Sequence, residues 1–176
     1  MYILHVFYFA VIYETIICVL RKINRRKLFK KAVRRAEKTG KQLLVVGDPY
    51  NGIASITTGR DYGCGDLCID ITGCPKCDCS LKIKLEDFVD TYKLDKYVIY
   101  ISCVLEYVDD IDKILLYLNN INENDLYVVA VEQYAIFAYM YPYFITGEKS
   151  PKRIIYIDNN KIKYKNNPLL YLFKYL

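Results

Sequence analysis

The sequence predicts an α/β fold: a small three-layer domain around a mostly parallel sheet, with a C-terminal antiparallel hairpin and an N-terminal helix in front. Three observations predict it. Four short runs, at 43–46, 66–71, 96–103 and 126–131, have mostly apolar centres rather than strict alternation, as in strands buried on both faces. Segments of helical period lie between them, the rhythm of parallel strands joined by helices. A length of 176 residues, 53% of them hydrophobic and 26% charged, suits one packed domain and argues against wholesale disorder.

The chain divides into 1–20, 21–41 and 42–176. From Ile3 to Leu20 it is apolar apart from His5, Glu14 and Thr15. Eighteen residues of helix reach roughly 27 Å, close to a hydrocarbon core of about 30 Å. The basic stretch RKINRRKLFKKAVRRAEKTGK follows at once, which marks a cytoplasmic flank. The expectation is a single-pass anchor, with the N-terminus outside and the domain in the cytoplasm. Glu14 opposes it, because a mid-membrane carboxylate costs about 2.5–3.5 kcal/mol on insertion scales. A buried helix of a water-soluble fold is the alternative. A cleaved signal peptide fits less well, since no positive residue precedes the apolar run and no small-residue cleavage site follows it. His5 reads as an interfacial residue rather than a ligand.

The net charge of +5 conceals a division of −1, +10 and −4 over the three segments. The positive surplus therefore sits in one helix beside an apolar one. That distribution fits anionic lipid headgroups better than nucleic acid. Leu28, Phe29, Ala32, Val33 and Ala36 recur at helical spacing, giving a narrow stripe for a membrane surface or for the following domain.

Within 42–176, the first strand candidate runs into Gly47-Asp48-Pro49 and the second into Gly73 and Pro75. Residues 85–92 form a short helix. Residues 109–120 form another, with Ile111, Ile114, Leu115 and Leu118 on one face and acids in the first turn. RIIYI and KIKYK flank Asp158-Asn159-Asn160 and read as a hairpin that extends the sheet at one edge. Tyr139, Tyr141 and Tyr143 make an aromatic loop for edge cover or a substrate lip. The apolar tail 168–176 packs on the domain or at a membrane.

Ligands of open parallel sheets bind beyond the carboxyl ends of the strands. Those ends are Gly47-Asp48, Asp70, Ser102-Cys103 and Glu132. A glycine turn after the first strand lets a nucleotide approach the backbone. An acid at the end of the second accepts from ribose hydroxyls, and 23 residues separate Gly47 from Asp70.

Residues 42–165 resemble a reduced class I S-adenosylmethionine-dependent methyltransferase, which implies a Rossmann-like sheet. The matching pieces are LLVVGDPYNG, DLCIDI, LEDFVD, and YVIYISCVLEYVDDIDKILLYLNNI followed by DLYVVAVE. The resemblance implies that Gly47, Asp48, Gly52 and Asp70 line a cofactor pocket, with Glu86 or Asp87 near the adenine. It supplies no catalytic residue. The family's glycine loop is reduced here to Gly47 and Gly52 around a proline, which points to a degenerate domain serving as a binding or structural component. Two alternatives stand beside it. One is an active methyltransferase on a membrane-proximal substrate; the other is a subunit of a viral or organellar assembly with other protein partners. Richness in Lys, Asn, Ile and Tyr points to an AT-rich genome of viral or protist type.

Five of the seven cysteines fall within sixteen residues. Structural thiols are the plain reading, because a cytoplasmic domain keeps cysteines reduced. Cys64, Cys68, Cys74 and Cys77 are also candidate zinc ligands, with chelate spacing at Cys74-Pro-Lys-Cys77. A redox pair at Cys74 and Cys77 lacks the helix that such pairs precede. Cys18 and Cys103 read as core thiols. With no histidine in the domain, a histidine-based nucleophilic triad is excluded.

Overall fold

A computed structural model describes residues 2–50, 62–131 and 151–167. Helix α1, Tyr2–Thr39, is one element of 38 residues. No glycine or proline interrupts it, and Gly40 ends it at φ +67°, the left-handed conformation that stops a helix at least cost. Five strands follow: β1 Gln42–Val46, β2 Leu67–Asp70, β3 Ser80–Lys82, β4 Tyr97–Ser102 and β5 Leu126–Val129. All pair in parallel, in the order β3-β2-β1-β4-β5. Helices α2, Leu85–Thr91, and α3, Ile111–Leu118, precede β4 and β5. Asp110 caps α3, its carboxylate accepting from Lys113 N.

Alternate residues of the central strands serve two different cores. Leu44, Val46, Ile69, Ile99 and Ile101 pack against Phe88, Ile114 and Leu118 of α2 and α3. Leu43, Val45, Val98 and Tyr100 pack against Ala32 and Ala36 of α1. Each fully buried aliphatic contributes about 1.5–3 kcal/mol, so both faces hold the sheet. The α/β and three-layer expectations are met. The stripe of α1 docks on the domain.

The hairpin forms as β6, Arg153–Asp158, and β7, Lys161–Asn166, with Asn159 and Asn160 at positive φ. It is a separate two-stranded sheet rather than an extension of the five strands. Ile155 and Ile162 insert into the core beside α3, and that packing replaces edge pairing.

The membrane expectation is corrected. Among the described residues no helix is long and apolar enough to cross a membrane. The apolar run is the first half of a helix whose next turns belong to the protein interior. Ile17 is buried with Cys103, Val131 and Ile154, and Arg21 and Arg25 are buried beyond it. A residue seated in that cluster cannot also face lipid, so the single-pass anchor and its orientation fall together. Arg26, Lys27, Lys30, Lys31, Arg34 and Lys38 are exposed on the same helix. The aromatic loop at 139–143 and the tail at 168–176 lie outside the described residues.

Candidate functional site

Register brings the carboxyl ends of the strands level. Val46 pairs with Ile69 on one side and Ile101 on the other, so Gly47 lies between Asp70 and Ser102. The chain leaves β1 toward β2 and β3, then crosses to β4, which makes this edge the topological switch point.

Gly47 has φ +96°, and a Cβ there would stand 2.7 Å from Val104 Cγ2. Conformation and space therefore both require glycine. Its N–H donates to Ile69 O at 2.8 Å. Asp48 is buried, and its Oδ1 accepts from Tyr50 N at 2.9 Å. Asp48 N donates to Asp70 Oδ2 at 3.1 Å, while the N–H and hydroxyl of Thr72 donate to Asp70 Oδ1 at 2.8 and 2.6 Å. Asp70 is half-buried, and with one hydrogen bond on Oδ2 against two on Oδ1, Oδ2 keeps a further lone pair.

Gly47, Asp48 and Asp70 thus form one hydrogen-bonded unit, and Gly52 lies outside the described residues. Glu86 and Asp87 belong to another. Asp109 N donates to Glu86 Oε1 at 2.6 Å, and Asp87 is exposed in the first turn of α2, where its backbone oxygen accepts from Thr91 Oγ1. Asp109 itself sits between Lys152 and Lys84, whose hydrogen bonds hold its carboxyl at about 2.

Behind this edge lies a buried polar cluster of which the strand-end reading reached only Cys103. Cys103 follows β4 at φ +53°, and the Arg25 guanidinium donates to its Sγ at 2.8 Å. Arg25 is only 1% exposed, and its backbone oxygen accepts from Tyr100 Oη at 3.2 Å. Glu106 is fully buried. Its Oε1 accepts from Val131 N at 2.5 Å, whereas Oε2 has no hydrogen-bond partner among the described residues. Burial pushes the Glu106 carboxyl up, against the Val131 amide and the charges of Arg25 and Arg21. A signal for the arginines was present: Ile17, Arg21, Arg25, Ala32 and Ala36 continue one helical face, all buried.

The cysteines depart from the plain reading. Cys64 pairs with Cys77 and Cys68 with Cys74, so four thiols expected to be free are two disulfides. Turns at Gly63, Gly65 and Gly73, all at positive φ, fold the segment back on β2 and bring these sulfurs together. The sulfurs of Cys68, Cys74 and Cys77 lie within 4.8 Å of one another, a grouping able to hold a metal ion. Among the described residues Cys18, Cys79 and Cys103 are free thiols, of which only Cys103 is buried.

A cavity of about 640 Å³, lined by Lys41, Asp90, Lys93, Tyr117 and Asp125 among others, opens at the opposite end of the sheet. It adjoins the amino ends of β1 and β5, where a parallel sheet does not direct its loops to ligands, so the carboxyl edge is the stronger candidate. Fold and edge define an α/β domain with a glycine turn and an acid at its switch point. Comparison with protein-family models, curated proteins and solved structures gives no match.

Proposed function

We propose that this chain is a methyltransferase-like binding domain of Rossmann type whose carboxyl edge receives a nucleoside, with S-adenosylmethionine the first candidate. The observation that carries the reading is the hydrogen bond from Asp48 N to Asp70 Oδ2, which fixes the acid of β2 beside the glycine turn of β1. In that position the remaining lone pair of Asp70 would accept from a ribose hydroxyl, and the Gly47 backbone would border the sugar. Binding rather than methyl transfer is favoured by the loop itself. Pro49 has no N–H to offer, and the Asp48 side chain is spent on Tyr50 N.

Calorimetry of the full chain with S-adenosylmethionine, S-adenosylhomocysteine and adenosine tests this. Micromolar binding of at least one of them, weakened tenfold or more by Asp70→Ala, is the expected result. No heat at millimolar ligand overturns the proposal. Thermal unfolding of Asp70→Ala separates loss of binding from loss of fold.

A further inference from the structure

The four paired cysteines form a concentrated sulfur site, and its geometry goes beyond the nucleoside reading. Cys68 is rigidly placed in β2, fully buried. Cys74 and Cys77 sit on one tight turn, closed by the hydrogen bond from Cys77 N to Cys74 O at 3.0 Å. Cys64 is bonded to Cys77, which places its sulfur beside the group that Cys68, Cys74 and Cys77 form within 4.8 Å of one another. A tetrahedral tetrathiolate with Zn–S near 2.3 Å needs sulfurs about 3.8 Å apart, which small side-chain rotations supply once the sulfur–sulfur bonds open. A two-residue spacer is also what one metal needs to take both ends of a turn. Histidine is lacking in the domain, so the donor set is entirely soft thiolate, the set that selects zinc over magnesium or calcium.

We propose that Cys64, Cys68, Cys74 and Cys77 bind one zinc ion when reduced, and that the two disulfides are the metal-free alternative of the same site. The chemistry balances. Each disulfide, with one trialkylphosphine and one water, gives two thiols and one phosphine oxide. Zinc then displaces the four thiol protons and leaves a centre of net charge −2. Lys76, between the two cysteines of the turn, supplies a neighbouring cation. Cys79 takes no part: its thiol is free and exposed, outside the sulfur group, and its carbonyl accepts from Cys68 N at 3.0 Å.

The test is a cobalt titration of the full chain, freed of metal and reduced with a trialkylphosphine under argon. The expected result is one cobalt per chain with the visible bands of tetrahedral tetrathiolate coordination, bleached by one equivalent of zinc. Cys79→Ser should titrate as wild type, and Cys74→Ser should lose the tetrathiolate spectrum. If the reduced wild-type chain takes up less than about half an equivalent, or Cys74→Ser keeps the spectrum, the proposal is overturned. The wild-type titration decides even if Cys74→Ser does not fold. Neither outcome depends on nucleoside binding, so the two proposals fail separately.

Discussion

Two buried acids, one at each end of the sheet, are both approached by arginines of α1, and they end in opposite states. At the amino end Asp125 has 3% of its side chain exposed. Arg35 Nε donates to Oδ1 at 2.7 Å and Lys41 Nζ to Oδ2 at 2.9 Å. Burial pushes its carboxyl up, but the two cations more than offset this and hold it below the usual range. At the carboxyl end burial dominates instead, and Glu106 is raised. Distance and geometry explain the difference: Asp125 has two direct charge-assisted bonds, whereas Glu106 has one backbone amide at one oxygen. The amino end is therefore settled architecture. The carboxyl end keeps unspent polar capacity, which in a parallel sheet is where function is placed.

The comparison breaks first at Arg25. Arg25→Ala empties one of the largest fully buried side chains and removes the bond to Cys103. A loss of about 3–5 kcal/mol is expected from denaturant unfolding, the range for truncating large buried side chains. A loss below about 1 kcal/mol would show that the cluster behind the carboxyl edge is not structural.

Asp125→Asn is next, at about 1.5–3 kcal/mol, because it removes the charge from two charge-assisted hydrogen bonds. Its pH dependence has a definite sign. The folded carboxyl titrates below its unfolded value of about 3.9, so its contribution is complete above that pH and fades as pH falls through the folded value. Wild type and Asp125→Asn should converge in stability on acidification. A gap that persists unchanged at low pH would assign the loss to packing.

Glu106→Gln gives the smallest effect and the sharpest one. Its folded carboxyl titrates above the unfolded value of about 4.3, so that contribution is complete below this pH and is lost as pH rises through the folded value. Glutamine keeps an acceptor for Val131 N and does not titrate. The melting temperature of Glu106→Gln relative to wild type should therefore climb as pH rises above the unfolded value of about 4.3. A constant difference would mean that Glu106 is not raised, and the contrast between the two ends would collapse.

Much of the fold was legible because its signals are local. β1, β2, β4, β5 and the hairpin stand where apolar runs and the Asn159-Asn160 turn put them. β3 was not, since Ser80 and Lys82 are exposed and only Leu81 is half-buried, so the strand has no apolar run to announce it. Helix α1 was misdivided for a different reason. Composition changes sharply at Arg21, but backbone preference does not, and the helix simply continues. Of the edge, Gly47, Asp48 and Asp70 were readable from strand-end logic. Cys103 was readable as a strand end too, but Arg25 and Glu106 were not, because the cluster spans residues 25–106 and depends on how α1 crosses the sheet. The disulfides were hidden by the compartment argument, which rested on the membrane orientation and fell with it.

The seating of Ile17 and its neighbours on α1 also sets an order of events during synthesis. Their partners Cys103, Val131 and Ile154 follow Ile17 by 86, 114 and 137 residues. At about 5–20 residues per second, translation from Ile17 to Val131 takes roughly 6–23 s. Through that interval α1 carries an uncovered stripe with two arginines still in water. Their dehydration waits for strands made after the helix, so α1 finds its place only once those strands exist.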